Sequence, residues 1–467
     1  MTYLPVGKKL PKPPRIYIVG PLEDTAKFYQ QFERLMEQLY PDPFYRPIVY
    51  VQASSNPELH RDYAFEQQVK PDMKIVLGDK DLGTHSVEEI FTHVAEASGL
   101  QQENIPGLTL VDNSSAENPF KQFGFNIIVG EQLQAELQAS VSEAKGPPPT
   151  IINLVGGMGT TAGADFMGSV VENAKEHIDS KKDQSNNPQG VVVTLYSNPA
   201  FLRPGEDGFK NWIFNFSNSR SVMNFRNGLK EYFSLPGQRT YSLTSNTAHK
   251  PSFFSMCKGF LKSTATLFHM VENVAKNINN QNLNKQIEEH DRIVILATTQ
   301  AVQAGLYPAA FANKECKGQI IHLSHDSEQQ QKVQDAIYEI KHGHVSEAQE
   351  KLMKIIYDLC ASTGARSIML CCTEFPVAID RDFISKFNTQ HGKNLGGDVT
   401  FVNATDLAAK ELVTRAFSPA PAAENSPKKS DIFRTALDAG SKPQYQQRED
   451  NGPSQKRGLF ARMGISR

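Results

Sequence analysis

The chain has 467 residues, of which 39% are hydrophobic and 21% charged, and a formal net charge of -2. This composition predicts a globular protein of two or three folding units. The balanced charge argues against nucleic acid as a partner. Residues 1–15 are rich in Pro and Lys, and no apolar run approaches the roughly 18 residues that span a bilayer, so we expect a cytoplasmic protein without a Sec signal, a transmembrane segment or a membrane partner.

Residues 1–146 alternate between strand and helix patterns. A first apolar strand at 15–20 precedes a helical repeat of apolar residues at 28–39, and further strands are predicted at 47–52, 73–77, 108–111 and 125–129. Helical stretches at 87–97 and 132–144 separate them. This alternation predicts a separate α/β domain. Residues 16–22 are similar to the opening strand of nucleoside deoxyribosyltransferase-like proteins, but no nucleophile accompanies them, so we expect a non-catalytic recognition or regulatory domain that could hold a protein partner.

A run from Gly146 to Pro149 cannot continue a helix and predicts a domain boundary, with the next domain at 150–417. Most strands predicted in this domain precede a helical pattern, as parallel sheets require, and they lie at 151–155, 191–196, 240–244, 293–297, 319–323, 367–370 and 400–403. Residues 418–467 are rich in Ser, Pro, Ala, Lys, Gln and Gly. We predict a mostly disordered tail whose basic end is a candidate recognition segment for a protein partner.

Three loops that follow predicted strands carry small or polar residues: 156–161 (GGMGTT), 245–249 (SNTAH) and 371–374 (CCTE). The carboxyl ends of parallel strands meet at one edge, where α/β proteins bind ligands. The glycine loop lacks the spacing of a dinucleotide site and the lysine of a P-loop. The five cysteines lack paired metal-ligand spacing, so we predict a reducing compartment, no disulfide framework and no metal.

In this order, the three loops resemble those of the aspartate/glutamate racemase family. SNTAH stands at the family's Cys-Asn-Thr-x-His position and LCCTE at its Leu-Gly-Cys-Thr-Glu position, and the similarity extends to 296–307, 328–343 and 401–406. The resemblance implies an α/β fold of two pseudosymmetric parallel-sheet lobes over 150–417. It also implies an isomerase that uses no cofactor and moves the α-proton of a small acidic amino acid between two thiols on opposite faces of a planar carbanion. A homodimer is left open.

Cys372 and Ser245 occupy the two catalytic positions of that family. Cys372 precedes a predicted helix start, whose dipole would lower the thiol pKa, and we predict that it is the base. An inert buried thiol is the alternative. Cys371 should point away from Cys372, because side chains alternate along an extended segment. The hydroxyl of Ser245 is too weak an acid to replace a thiolate near neutral pH, so the resemblance implies one-sided or weak activity with preference for the L-form.

The resemblance also implies a set of substrate-binding residues that grip carboxylates: Met158, Gly159, Thr160, Thr161, Asn198, Arg203, Asn246, Thr247, Lys341 and Thr373. Arg203 departs from the family's local residue order and could equally be a surface residue. Glu374 and His249 either orient neighbouring groups or satisfy a loop or helix cap. Three functions are left open: an aspartate or glutamate racemase or epimerase, a single-thiol decarboxylase or maleate-type isomerase, and a degenerate fold that binds or senses an acidic amino acid.

Overall fold

A computed structural model describes residues 15–39, 48–56, 62, 64–65, 68, 73–77, 125–128, 149–156, 160–181, 190–198, 220–280, 292–312, 319–341 and 343–418. The predicted strand at 108–111, the helices at 87–97 and 132–144 and nearly all of the predicted tail lie outside these residues. The described strands are β1 Arg15–Pro21, β2 Ile48–Ser54, β3 Met73–Leu77, β4 Phe125–Ile128, β5 Thr150–Gly156, β6 Val191–Ser197, β7 Arg239–Leu243, β8 Ala265–Phe268, β9 Arg292–Leu296, β10 Gln319–His322, β11 Ser367–Leu370 and β12 Thr400–Asn403.

The described helices follow the strands closely in the chain. They are α1 Leu22–Leu39, α2 Thr160–Asp179, α3 Arg220–Phe233, α4 Pro251–Lys258, α5 Met270–Asn280, α6 Thr299–Gln303, α7 Leu306–Ala312, α8 Glu328–Lys341, α9 Val345–Thr363, α10 Phe375–Ala378, α11 Arg381–Phe387, α12 Lys393–Leu395 and α13 Ala404–Phe417. A 3-10 turn, Asn246–His249, follows β7, and a π-helical turn, Asn388–Gly392, follows α11. No described helix is both long and apolar enough to cross a membrane.

The strands form two sheets. The larger has eight strands in the order β4-β3-β1-β2-β6-β5-β7-β8, and the smaller has four in the order β10-β9-β11-β12. All pairs in the smaller sheet are parallel, and so are the pairs among β5, β6, β7 and β8. Parallel strands covered on both faces should be continuously apolar, and β6 (VVVTLYS) is buried at every residue. The predicted α/β class with parallel sheets is confirmed.

Strands from both sides of the predicted domain boundary belong to the larger sheet. β2 pairs antiparallel with β6, from Val49 opposite Ser197 to Ser54 opposite Val192. Asp62 also accepts hydrogen bonds from both terminal nitrogens of Arg239 in β7, and both side chains are almost completely buried. Independent folding of 150–417 stays a prediction, and these contacts are what such a fragment would lose.

Helix α1 packs against α2 in the same part of the molecule. Lys175 pairs with Glu23 near one end of the contact, and Arg34 lies 3.9 Å from Asp165 near the other. Between them, a Cβ added at Gly168 would lie 2.5 Å from the Gln30 amide nitrogen. A side chain at Gly168 would therefore displace the end of the Gln30 side chain from the space between the two helices.

Candidate active site

The loops after β7 and β11 are brought together as their positions in the sequence predict. Asn246, in the 3-10 turn after β7, accepts a hydrogen bond of 2.8 Å from the hydroxyl of Tyr307 in α7. The same hydroxyl interacts with the thiol of Cys371 at the end of β11. The hydroxyl oxygens of Thr247 and Thr298, which follow β7 and β9, are 3.3 Å apart. Three of the strand-end loops thus form one cluster.

Cys372 belongs to a buried chain of polar groups on the smaller sheet. Its thiol donates to Oε2 of Glu374 at 2.6 Å, and Oε1 of the same carboxylate is 3.1 Å from the ammonium of Lys341. The Thr373 hydroxyl donates to Oε2 at 3.3 Å. Cys372 and Glu374 are each 4% exposed, whereas the Lys341 side chain keeps 28% exposure. The predicted residues Cys372, Glu374, Thr373 and Lys341 are therefore in one network, with a cation at its open end.

The charges in this network are set by burial and by each other. Burial, and then the carboxylate of Glu374, raise the pKa of the Cys372 thiol well above its ordinary value. Burial opposes ionisation of Glu374, but Lys341 and the Cys372 hydrogen bond outweigh it and hold the pKa of Glu374 below its ordinary value. Burial also opposes the charge on Lys341, but Glu374 raises the pKa of Lys341. The resting network is a neutral thiol beside a carboxylate–ammonium pair.

The predicted lowering of the Cys372 thiol pKa by a helix start is wrong. Helix α10 begins at Phe375, three positions beyond Cys372, and has four residues, so its dipole is short and distant. A buried thiol beside a carboxylate favours the neutral form. The side chain of Glu374, which makes no capping hydrogen bond at this helix, is turned to Cys372 instead.

The opposite orientations predicted for Cys371 and Cys372 are confirmed. Cys371 packs with Met369 in the core shared with the larger sheet, whereas Cys372 packs with Leu370 in the core of the smaller lobe. Burial raises the pKa of the Cys371 thiol, although Tyr307 opposes the shift. Cys371 is therefore a protonated core residue beside the cluster, and Cys372 is the thiol of the polar network.

Ser245 lies at the first residue of the loop after β7, in extended conformation with φ -118° and ψ 130°. Its carbonyl accepts from the backbone N–H of Ala248 at 3.0 Å, and its hydroxyl makes no capping bond. The next residue, Asn246, is 5% exposed, and its amide nitrogen is buried without a hydrogen-bond partner in the described part of the chain. An orphaned buried donor is costly and rare in folded proteins.

His249 has a structural environment. Its Nε2 lies 3.2 Å from the carbonyl of Leu243, and its ring packs on Phe254 and His269. Burial, and then His269, lower the pKa of His249 well below its ordinary value, so the ring is neutral. Two roles were predicted for His249, orienting a neighbouring group and satisfying the hydrogen bonds of its loop. The observed contacts favour the second role, because the ring connects the end of β7 to the turn that carries Asn246.

The remaining predicted ligands contribute less to the described geometry. Asn198, after β6, is buried and donates to the Tyr196 hydroxyl at 2.9 Å. Thr160 and Thr161 form the first turn of α2. Met158, Gly159 and Arg203 lie outside the described residues. No group of three metal-binding side chains occurs in the part of the chain that the structure describes.

A groove of about 590 Å³ runs between α1, α2 and the loops after β11 and β12. Thr373 lines it, together with Arg34 and Asp165, whereas Ser245 and Asn246 do not. Burial raises the pKa of Asp165 to about 6, with Arg34 opposing and Glu374 adding to the shift. The loop after β11 therefore has a second polar face, which lines a groove opposite helix α1.

Tyr307 is the site residue that sequence analysis missed. The segment 296–307 entered the family resemblance, but an isolated tyrosine after a helical turn is indistinguishable from a core aromatic by pattern alone. Its side chain is 1% exposed. Only the fold reveals that its hydroxyl reaches the loops after both β7 and β11.

The described chain is thus an α/β protein whose parallel strands carry a polar cluster at their carboxyl ends. No family model matches the sequence, and no curated protein sequence is significantly similar to it. Among solved structures, it is similar to Picrophilus torridus aspartate racemase, with 20% identity, TM-score 0.38 and coverage of 57% of this chain and 94% of that one. It is also similar to an aspartate racemase homologue from Pyrococcus horikoshii OT3, with 17% identity, TM-score 0.39 and coverage of 58% of this chain and 100% of that one.

A third solved structure, glutamate racemase from Francisella tularensis in complex with D-glutamate, is 13% identical, with TM-score 0.36 and coverage of 57% of this chain and 80% of that one. At these identities and scores, function has to be argued from the residues of the site.

Proposed function

We propose that this chain is a cofactor-independent racemase or epimerase of aspartate or glutamate in which Cys372 exchanges the α-proton. The observation that carries the proposal is the hydrogen bond of 2.6 Å from the Cys372 thiol to Glu374, whose other oxygen is 3.1 Å from Lys341. Moving the thiol proton to Glu374 creates a thiolate without changing the net charge of the network. A buried base of this kind suits removal of a weakly acidic C–H proton.

In the proposed catalytic step, the proton moves from the substrate to Cys372 and the electron pair of the broken C–H bond stays on the substrate. The thiolate of Cys372 takes the proton from Cα, so that an S–H bond forms and the C–H electron pair spreads into the α-carboxylate. Donors fixed near that carboxylate stabilise the charge that develops on it. We assign this role to the amide nitrogen of Asn246, which has no partner among the described residues, and to the hydroxyl of Thr247. We assign the binding of a second carboxylate to the partly exposed ammonium of Lys341.

Ser245 makes the two faces of the substrate unequal. Return of the proton from Cys372 to the same face gives exchange without inversion, whereas inversion needs a proton donor on the opposite face. A hydroxyl donates far less readily than a thiol near neutral pH. We therefore expect efficient exchange with one enantiomer, the L-form by resemblance, and slow net racemisation.

The test is exchange of the α-proton in D2O. Wild-type protein is incubated with L-Asp, D-Asp, L-Glu and D-Glu, and loss of the α-proton signal is followed by NMR. Exchange should be faster with the L-form and should disappear in Cys372→Ala. Cys360→Ala, which removes another buried thiol of the same lobe, is the matched control and should retain exchange. Exchange that survives Cys372→Ala would eliminate the proposed base.

A second candidate function follows from the presence of only one thiol at the two catalytic positions. Decarboxylation of a malonate-like diacid and isomerisation of maleate need a single thiol. CO2 release and fumarate formation are measured with the same two cysteine variants. Saturable binding of an acidic amino acid without any exchange would instead support a binding or sensing module.

A further inference from the structure

Tyr307 joins two loops that lie far apart in the sequence. It lies in α7 of the smaller lobe and is 1% exposed, and its hydroxyl donates at 2.8 Å to Oδ1 of Asn246 in the loop after β7. The same hydroxyl interacts with the thiol of Cys371. The Tyr307 hydroxyl thus donates to the loop that carries Ser245 and lies near enough to Cys371, next to Cys372, to influence the pKa of the Cys371 thiol.

The second observation is the state of the Asn246 amide. Its oxygen accepts from Tyr307, and its nitrogen is buried and has no hydrogen-bond partner among the residues that the structure describes. The oxygen and nitrogen of an amide exchange places by a half-turn of the side chain, and only the hydrogen-bond partners decide between the two orientations. A hydroxyl that donates to the oxygen selects the orientation in which the nitrogen is free for another acceptor.

We propose that Tyr307 is a positioning residue that fixes the Asn246 amide, so that its nitrogen donates to a carboxylate oxygen of the bound amino acid. This inference rests on the proposed function and adds a residue to it. A carboxylate is the ligand group that fits, since it is acceptor-only and gains a donor that the free protein leaves unused. In this proposal Tyr307 acts through the Asn246 amide, to which its hydroxyl donates.

The main experiment compares Tyr307→Phe with Tyr241→Phe. Tyr241 is a matched control because its hydroxyl is also buried and donates at 2.9 Å, but to the backbone carbonyl of Tyr232 in the core. Binding of L-Asp and L-Glu is measured by calorimetry. We expect Tyr307→Phe to weaken binding about tenfold, the scale of one lost hydrogen bond to a charged group. Tyr241→Phe should bind as wild type does, even where its melting temperature falls.

A double-mutant cycle separates positioning from a general loss of structure. If Tyr307 acts through Asn246, its substitution by Phe should have no further effect on affinity in an Asn246→Ala background. The side-chain amide of Asn246 gives an independent signature. Its NMR signals should shift on addition of the amino acid in wild-type protein, and in Tyr307→Phe they should shift less at the same ligand saturation.

The outcomes discriminate between the inference and the function on which it rests. If wild-type protein binds the amino acids and Tyr307→Phe binds them equally well, the inference is wrong and the racemase proposal stands. An equal loss in the wild-type and Asn246→Ala backgrounds also overturns the inference. If wild-type protein binds neither L-Asp nor L-Glu, the proposed function fails and the inference fails with it.

Discussion

Substitution of Glu374 by Gln tests the network around Cys372 most directly. The carboxylate is 2.6 Å from the thiol and 3.1 Å from the Lys341 ammonium, and it contributes to the raised pKa of the Cys372 thiol. Gln keeps the shape of the side chain but removes the negative charge. Its amide can also donate to a thiolate, and Lys341 remains as an uncompensated cation. All three changes favour the ionised thiol.

The expected size follows from Coulomb's law. Two unit charges about 4 Å apart interact by about 4 kcal/mol at an effective dielectric constant of about 20. At about 1.36 kcal/mol for each pKa unit, loss of the carboxylate lowers the thiol pKa by up to about three units. Because the Lys341 side chain is 28% exposed, water can reach part of the network. We therefore expect a decrease of about one to three units.

Ultraviolet absorbance of the thiolate measures this shift without requiring a reagent to enter the site. The pH titration of each protein is compared with that of the same protein carrying Cys372→Ser, so that the difference reports Cys372 alone. Glu339→Gln is the control, because Glu339 pairs with Lys351 at 2.6 Å at a more exposed position. The midpoint should fall in Glu374→Gln and stay constant in Glu339→Gln.

The same variant separates thiol ionisation from proton transfer. Glu374→Gln has more thiolate near neutral pH but no carboxylate to accept the Cys372 proton, so α-proton exchange should slow although the thiol pKa has fallen. A midpoint that is unchanged or higher in Glu374→Gln would falsify the electrostatic account of the network. A faster exchange would show that Glu374 hinders Cys372 and does not assist it.

Three further predictions concern other parts of the chain. Ser245→Cys should accelerate α-proton exchange of the disfavoured enantiomer, because a thiol, with a reference pKa of about 8.5, ionises far more readily than a hydroxyl. Exchange rates that stay unchanged by NMR while ligand affinity is also unchanged would count against the racemase proposal. Asp62→Ala should destabilise the protein by about 3–5 kcal/mol in urea unfolding, because it leaves the buried Arg239 unpaired; a loss below about 1 kcal/mol would favour independent folding of 150–418. Burial raises the pKa of Asp165 to about 6, so the stability that depends on its neutral form is lost as pH rises from about 4 through about 6. Asp165→Asn should therefore be about 1–3 kcal/mol more stable than wild type at about pH 8 and no more stable at about pH 3, and a pH-independent difference would contradict this reasoning.

The sequence predicts features that depend on local pattern. Period-two alternation places Cys371 and Cys372 on opposite faces, and apolar runs predict most described strands to within a few residues. β8, Ala265–Phe268, was missed, because it has four residues of which only Phe268 is buried, too short and too exposed for a periodic signal.

Features that depend on contacts between distant segments could not be predicted. The antiparallel pairing of β2 with β6 joins segments on either side of the Gly146–Pro149 boundary, and nothing in either strand specifies its partner. The direction of the Cys372 pKa shift depends on the orientation of the Glu374 side chain. The local sequence is the same whether that carboxylate caps the helix or contacts the thiol. The connection from Tyr307 to Asn246 spans two lobes for the same reason.

The pairing of β2 with β6 also determines what an excised fragment of residues 150–417 exposes. A chain that begins at Thr150 presents one whole side of β6 with unpaired backbone N–H and C=O groups, next to the apolar side chains of Val192, Val193 and Leu195. Such an edge is a template for strand addition by another copy of the fragment, and apolar β-branched side chains increase its tendency to aggregate. Precipitation of the fragment would then report intermolecular β-pairing and not a failure to fold. A short peptide with the sequence of β2, which would pair with the free edge of β6, should keep the fragment in solution.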